Sequence, residues 1–136
     1  MILVDTGPLI ALFDPADAAH QGSVSTLARI EEPLLTTVPV LTEAFHLLRP
    51  ASLGAIRLMD FVTAGGLHVW FLDEATLRRA FALMVAYADE PMDLADASLV
   101  VAAERLRLTK VFTVDRDFAA YRIQRGHQRH RFQVLT

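Results

Sequence analysis

The chain contains no cysteine. That single absence excludes disulfide frameworks, thiolate zinc sites, iron–sulfur clusters and cysteine nucleophiles, and it fits the reducing cytoplasm. Nor is there an apolar run near the ~18 residues that a membrane helix needs. The greasy start Met1–Val4 has no basic segment before it and is cut by Asp5, so it does not read as a secretory leader. A cytoplasmic protein with no membrane partner is expected. No repeat, biased tract or linker-like stretch divides the 136 residues, a length that suits one core and leaves no room for a second.

What is present is a folding composition: 53% hydrophobic and 21% charged residues, well away from the disordered class. The net charge of −3 hides an asymmetry. Residues 1–103 hold 5 arginines against 13 acidic residues, a net −8; residues 104–136 hold 8 basic residues against 3 acidic ones, a net +5. A basic end on an acidic protein is either a solvated face or a polyanion-binding one.

Short apolar runs alternate with longer periodic segments. Ile2–Val4, Leu34–Thr37, Leu67–Leu72, Val111–Val114 and Phe132–Leu135 read as strands. Helices are expected over Leu9–Phe13, Asp17–Ile30, Val40–Arg49, from the N-cap Ser52 to Ala64, Glu74–Ala88 and Leu94–Leu106, with a short helical turn at Asp117–Tyr121. This alternation implies an α/β fold: a three-layer α/β/α sandwich around a central, mainly parallel twisted sheet, in a single domain. Ligands of such sheets collect beyond the carboxyl ends of the strands. Two carboxylates stand there, Asp5 after the first strand and Asp115 after the fourth.

Each has an ordinary explanation as a turn or helix-capping residue. Glu43 is harder to dismiss, because its segment is mostly apolar and a buried carboxylate is costly unless paired or bound to a cation. The bland alternative is that it lies at the edge of the apolar stripe or pairs with an arginine. Asp96 precedes Leu99, Val100 and Ala103 on a core-facing stripe, whereas Asp93, three residues earlier, suits the N-cap of that helix. Four converging carboxylates repel by about 3 kcal/mol per pair at ~5 Å. A hard divalent cation relieves that repulsion, and oxygen-only ligands point to Mg²⁺, with Mn²⁺ able to substitute. Such a centre suits phosphodiester hydrolysis by a water that the metal makes acidic.

Four segments in this order resemble a known family: ILVDTGPLIALFD from Ile2, LTEAFHLL from Leu41, PMDLADASLVVAAERL from Pro91 and VFTVDRDF from Val111. The chain resembles the PIN-domain ribonucleases, specifically the VapC-like toxins of bacterial toxin–antitoxin pairs, over roughly residues 2–120. The resemblance implies one PIN-like nuclease domain over residues 1–136 that cleaves RNA with Mg²⁺, forms a homodimer and is blocked by a cognate antitoxin. It implies that Asp5, Glu43, Asp96 and Asp115 are the catalytic, metal-holding quartet, supported by Thr113 and by the small polar residue Thr6. Asp93 and Asp117 lie beside matched positions and stay outside the metal set. The basic end, with Arg122, Arg125, Arg129 and Arg131 plus His127 and His130, offers an RNA-backbone path through phosphate contacts.

Other classes fit less well. A receiver domain with its Mg²⁺ pocket needs adjacent acidic residues after the first strand and a lysine after the last; here Asp5 stands alone and Lys110 precedes its strand. A haloacid-dehalogenase-type phosphatase needs Asp-x-Asp where this chain has Asp-Thr-Gly. Glu43 and His46 spell the Glu-x-x-His of di-iron bundles, but only once, so His46 is expected to be a partly buried histidine and Trp70 to pack on the sheet. A catalytically silent PIN domain that only binds RNA or protein is the remaining alternative, against which all four acidic positions are occupied.

Overall fold

The computed structural model describes all 136 residues. Strand β1 (Ile2–Val4) lies at the centre of a five-stranded parallel sheet, with β2 (Leu34–Thr37) and β3 (His68–Trp70) on one side and β4 (Lys110–Phe112) and β7 (Gln133–Leu135) on the other. Leu3 is in register with Leu35 and with Val111. Because the chain runs outward from β1 to β3 and then returns to the far side of β1, the order reverses between β1 and β4. A crevice opens at such a switch point, at the carboxyl ends of the strands.

Six helices cover the sheet in the expected three-layer order: α1 (Thr6–Phe13), α2 (His20–Ala28), α3 (Val38–Leu48), α4 (Leu53–Thr63), α5 (Glu74–Ala86) and α6 (Leu94–Leu106). Their starts are set by side chains that satisfy free backbone N–H groups. Thr37 caps α3, Ser52 caps α4, Asp73 and Thr76 form a reciprocal capping box on α5, and Asp93 caps α6. Helix α6 is the buried one: Ala95 through Ala103 are all shielded from solvent, which is why it lacks the one-sided pattern of a surface helix. No helix is long and apolar enough to cross a membrane.

Several boundaries differ from the sequence reading. Helix α2 starts at His20 rather than Asp17, because Asp14 and Asp17 accept the N–H groups of Ala16 and Ala19 in side-chain turns that hold the chain outside a helix. Strand β4 ends at Phe112, since the Thr113 hydroxyl accepts the N–H of Asp115 and turns the chain. Lys110 begins that strand and pairs with Glu32. A larger difference lies between a 3-10 turn (Arg116–Ala119) and β7. Here β5 (Arg122–Arg125) and β6 (Gln128–Arg131) form an antiparallel hairpin separate from the main sheet. Gly126 has φ +60° at the first position of its two-residue turn, as a II′-type hairpin requires.

Helix α3 is also less buried than its composition suggests. Only Val40, Ala44 and Leu48 are buried; Leu47 is 54% exposed and His46 is exposed rather than partly buried. Trp70 is half-buried and packs against the core, as expected.

Candidate active site

Three carboxylates meet at the switch point. Asp5, Asp96 and Asp115 each offer an oxygen within 4.8 Å of the others. They come from three elements: the end of β1, the first turn of α6, and the turn after β4. Asp5 and Asp96 are buried and Asp115 is half-buried.

Each is held by hydrogen bonds that fix its direction. Asp5 Oδ1 accepts the Thr6 N–H at 2.8 Å while Oδ2 accepts the Thr113 hydroxyl at 2.7 Å. The same Thr113 oxygen accepts the N–H of Asp115 at 2.9 Å, so one hydroxyl ties two acidic positions together. Asp115 in turn accepts the N–H of Asp117. Asp93 is exposed and takes the Asp96 N–H at 2.8 Å, the expected cap. Gly7 lets the start of α1 come close to the β4 turn: a Cβ there would lie 2.5 Å from a Val114 methyl, beside Asp115.

No basic side chain pairs with any of the three; the ion pairs in the protein all lie elsewhere. Burial, followed by repulsion from Asp115 and Asp93, therefore raises the Asp5 carboxyl to about 6, against the pull of the Thr113 and Thr6 hydrogen bonds. Burial, then the charges of Asp93 and Asp5, raises Asp96 to about 8, opposed by a hydrogen bond from Tyr121. Asp117 is also raised, chiefly by Asp115. Carboxyls pushed this way lack a positive partner, and a hard divalent cation fits the set: three converging oxygen donors from a rigid core, with no sulfur and no imidazole.

Glu43 lies outside the trio. It is half-buried, on the edge of the stripe formed by Val40, Ala44 and Leu48, so its own burial demands no partner. That edge nonetheless faces the site: Glu43 lines a cavity of about 220 Å³ together with Asp5, Thr6, Asp93, Asp96 and Asp115. Thr6 adds a buried hydroxyl without a hydrogen-bond partner in the same cavity wall. The arginines separate. Arg122 folds back onto the carbonyls of Ala119, Ala120 and Tyr121 and Arg125 turns inward to the Leu108 carbonyl, whereas Arg129 and Arg131 stand exposed.

The sequence reading missed Tyr121. Fully buried, it donates from its hydroxyl to Asp96 Oδ2 at 3.2 Å, and burial beside that carboxylate raises its own pKa. Its ring makes edge-to-face contacts with those of Phe118 and Tyr87. The only signal in the sequence was an aromatic residue closing a polar turn.

A parallel sheet whose switch point ends in three carboxylates without a basic partner defines an α/β protein with a centre suited to a hard cation. The chain belongs to the PIN-domain family, whose pattern matches residues 2–124. Among curated proteins it is similar to Ribonuclease VapC26 of Mycobacterium tuberculosis, 29% identical over 130 aligned residues that cover 89% of this chain and 92% of the relative. Its fold resembles that of Mycobacterium tuberculosis VapC20, described as a sarcin-ricin loop cleaving toxin, with a TM-score of 0.81 and 21% identity over 88% of this chain and 94% of that one. A toxin–antitoxin complex from Klebsiella pneumoniae gives a TM-score of 0.67 and 20% identity, over 88% and 91% of the two chains.

Proposed function

We propose that this PIN domain is a Mg²⁺-dependent endoribonuclease that acts as the toxin of a toxin–antitoxin pair. The observation that carries the reading is the unpaired trio of Asp5, Asp96 and Asp115 at the mouth of the switch point. The ribonuclease name of the Mycobacterium relative and the toxin–antitoxin setting of the Klebsiella neighbour support it.

In this reading Asp5, Asp96 and Asp115 hold the cation, and Thr113 keeps Asp5 and Asp115 aimed at it. Mg²⁺, or Mn²⁺ in its place, would supply there a positive charge to offset the carboxylates beside a phosphodiester and to make a nearby water more acidic. Glu43, on the wall of the same cavity, would be placed to take up a proton from an attacking water there. Thr6 offers its unpartnered hydroxyl to the cavity. Leu53, Ile56 and Met59, all exposed on α4, supply apolar surface of the kind that a protein partner covers, in keeping with a cognate antitoxin and a homodimer in the cytoplasm.

The test is to incubate antitoxin-free protein with total bacterial RNA, with Mg²⁺ or with EDTA, beside the Asp96→Asn variant. Discrete fragments that need Mg²⁺ and vanish in the variant are the expected result. Intact RNA in every lane, or cleavage that survives Asp96→Asn, overturns the reading.

A further inference from the structure

We infer that the outer face of the β5–β6 hairpin is an RNA-backbone track leading away from the acidic centre, with Arg129 and Arg131 as its phosphate-binding side chains. The inference rests on the RNA-cleaving reading above and says where the substrate lies.

The hairpin register pairs Arg122 with Arg131 and Gln124 with Arg129. Ile123 is buried beneath the ribbon, so strand alternation puts Arg122, Gln124, Arg129 and Arg131 together on the opposite face. Two arginines directly across a strand pair repel each other, and neither Arg122 nor Arg131 forms an ion pair with a carboxylate. The ion pairs use Met1, Arg78, Arg79 and Lys110, which leaves the hairpin arginines outside them. Of the hairpin arginines, Arg122 and Arg125 are bound to backbone carbonyls and fasten the ribbon down. Arg129 and Arg131 are exposed, and Arg129 is steadied by the Tyr87 hydroxyl at 3.2 Å.

Anchors place this face relative to the cation centre. Tyr121, just before β5, bonds Asp96 at the start of α6; the Gln124 N–H bonds Glu104, eight residues further along that helix. At ~1.5 Å per residue the hairpin follows α6 for roughly 12 Å outward from the site. The outer face carries no apolar side chain. Protein interfaces have apolar centres poor in charge, whereas nucleic-acid interfaces are polar and basic, so the chemistry favours a polyanionic strand over a protein.

The test measures binding of a fluorescein-labelled single-stranded RNA to the full chain by anisotropy, in EDTA so that nothing is cut, across a NaCl series. Every phosphate that is no longer neutralised lowers the slope of log K against log salt by ~0.7. The Arg129→Gln/Arg131→Gln double variant is expected to flatten the slope by ~1.4 and to weaken binding severalfold at low salt, while Arg29→Gln/Arg57→Gln, which removes the same charge from α2's end and α4, leaves the slope unchanged. An unchanged slope in the hairpin variant overturns the track and leaves the ribonuclease reading standing. A flattened slope in a protein that cuts no RNA keeps the track and removes the ribonuclease reading. Binding of a labelled polyglutamate peptide that depends on Arg129 and Arg131, with RNA binding unaffected, overturns the track in favour of an acidic protein segment.

Discussion

Replacing Asp96 by asparagine is expected to make the cation-free protein more stable at alkaline pH, although Asp96 is proposed to be essential for activity. In the unfolded chain this carboxyl titrates at its ordinary 3.8; in the fold, burial and the neighbouring carboxylates raise it to about 8. A raised acid holds its proton in the native state after the unfolded state has lost it. Native stability therefore falls as pH climbs between those two values. At 1.36 kcal/mol per unit the ceiling is about 5 kcal/mol near pH 8. The repulsion is shared with Asp5 and Asp93, so the recoverable part is about 1–3 kcal/mol. Asparagine keeps an oxygen to accept the Tyr121 hydroxyl and removes the charge. Thermal unfolding in EDTA should show the variant melting roughly 3–10 °C above the wild type at about pH 8, with the gap closing near pH 4. Added Mn²⁺ should then raise the wild type more than the variant, since a ligand that binds only the native state stabilises it by mass action. A variant that melts at or below the wild type in EDTA at alkaline pH would refute the electrostatic account of the site.

Two further substitutions probe the scaffold. Thr113→Val removes the hydroxyl shared by Asp5 and the Asp115 N–H; Mn²⁺ affinity measured by calorimetry should fall about tenfold or more, and an unchanged affinity would count against the tie. Arg79→Ala strips the bidentate partner from Glu104, whose side chain is only 10% exposed. Urea unfolding should show a loss of about 3 kcal/mol and hydrogen exchange at the Gln124 amide should quicken; a loss below about 1 kcal/mol would contradict the assigned role.

The parts of the fold set by local chemistry were legible in the sequence. Ile2–Val4 and Leu34–Thr37 read as strands with their observed bounds, and Leu94–Leu106 as a helix, because each is framed by a turn or cap residue adjoining an apolar run. Asp5 and Asp115 stood out because they follow strands of a parallel sheet, and Asp96 because it opens a core-facing helix; the structure brings these three together. Glu43 shows the limit of that logic. Leu47 beside it covers surface while Val40, Ala44 and Leu48 are core, and a single sequence does not distinguish the two. The hairpin escaped because each strand has few apolar residues, and its stability comes from distant anchors: Tyr87 to Arg122, Glu104 to Gln124. Tyr121 escaped for the same reason, its partner being 25 residues back in the chain. The bond between Thr37 and Ser98 at 2.6 Å, which spans 61 residues, also has no local signature.

The separation of the β5–β6 ribbon from the five-stranded sheet has a consequence for how such a protein diversifies. The carboxylates grow out of the interior, where any shift of β1, β4 or α6 disturbs the whole core. The ribbon shares no ladder with that sheet and is spliced in between a short turn and the last strand, closed by a two-residue loop at Gly126. Its outward residues Arg129 and Arg131 can be rewritten without altering the register of a single central strand, provided Ile123 and the backbone anchors to Glu104 and Tyr87 are kept. On the assignment proposed above, the cutting centre and the RNA track therefore sit on separate sheets, and grafting the outer-face residues of another family member's ribbon onto this one should change which RNA is bound while leaving the acidic centre in place.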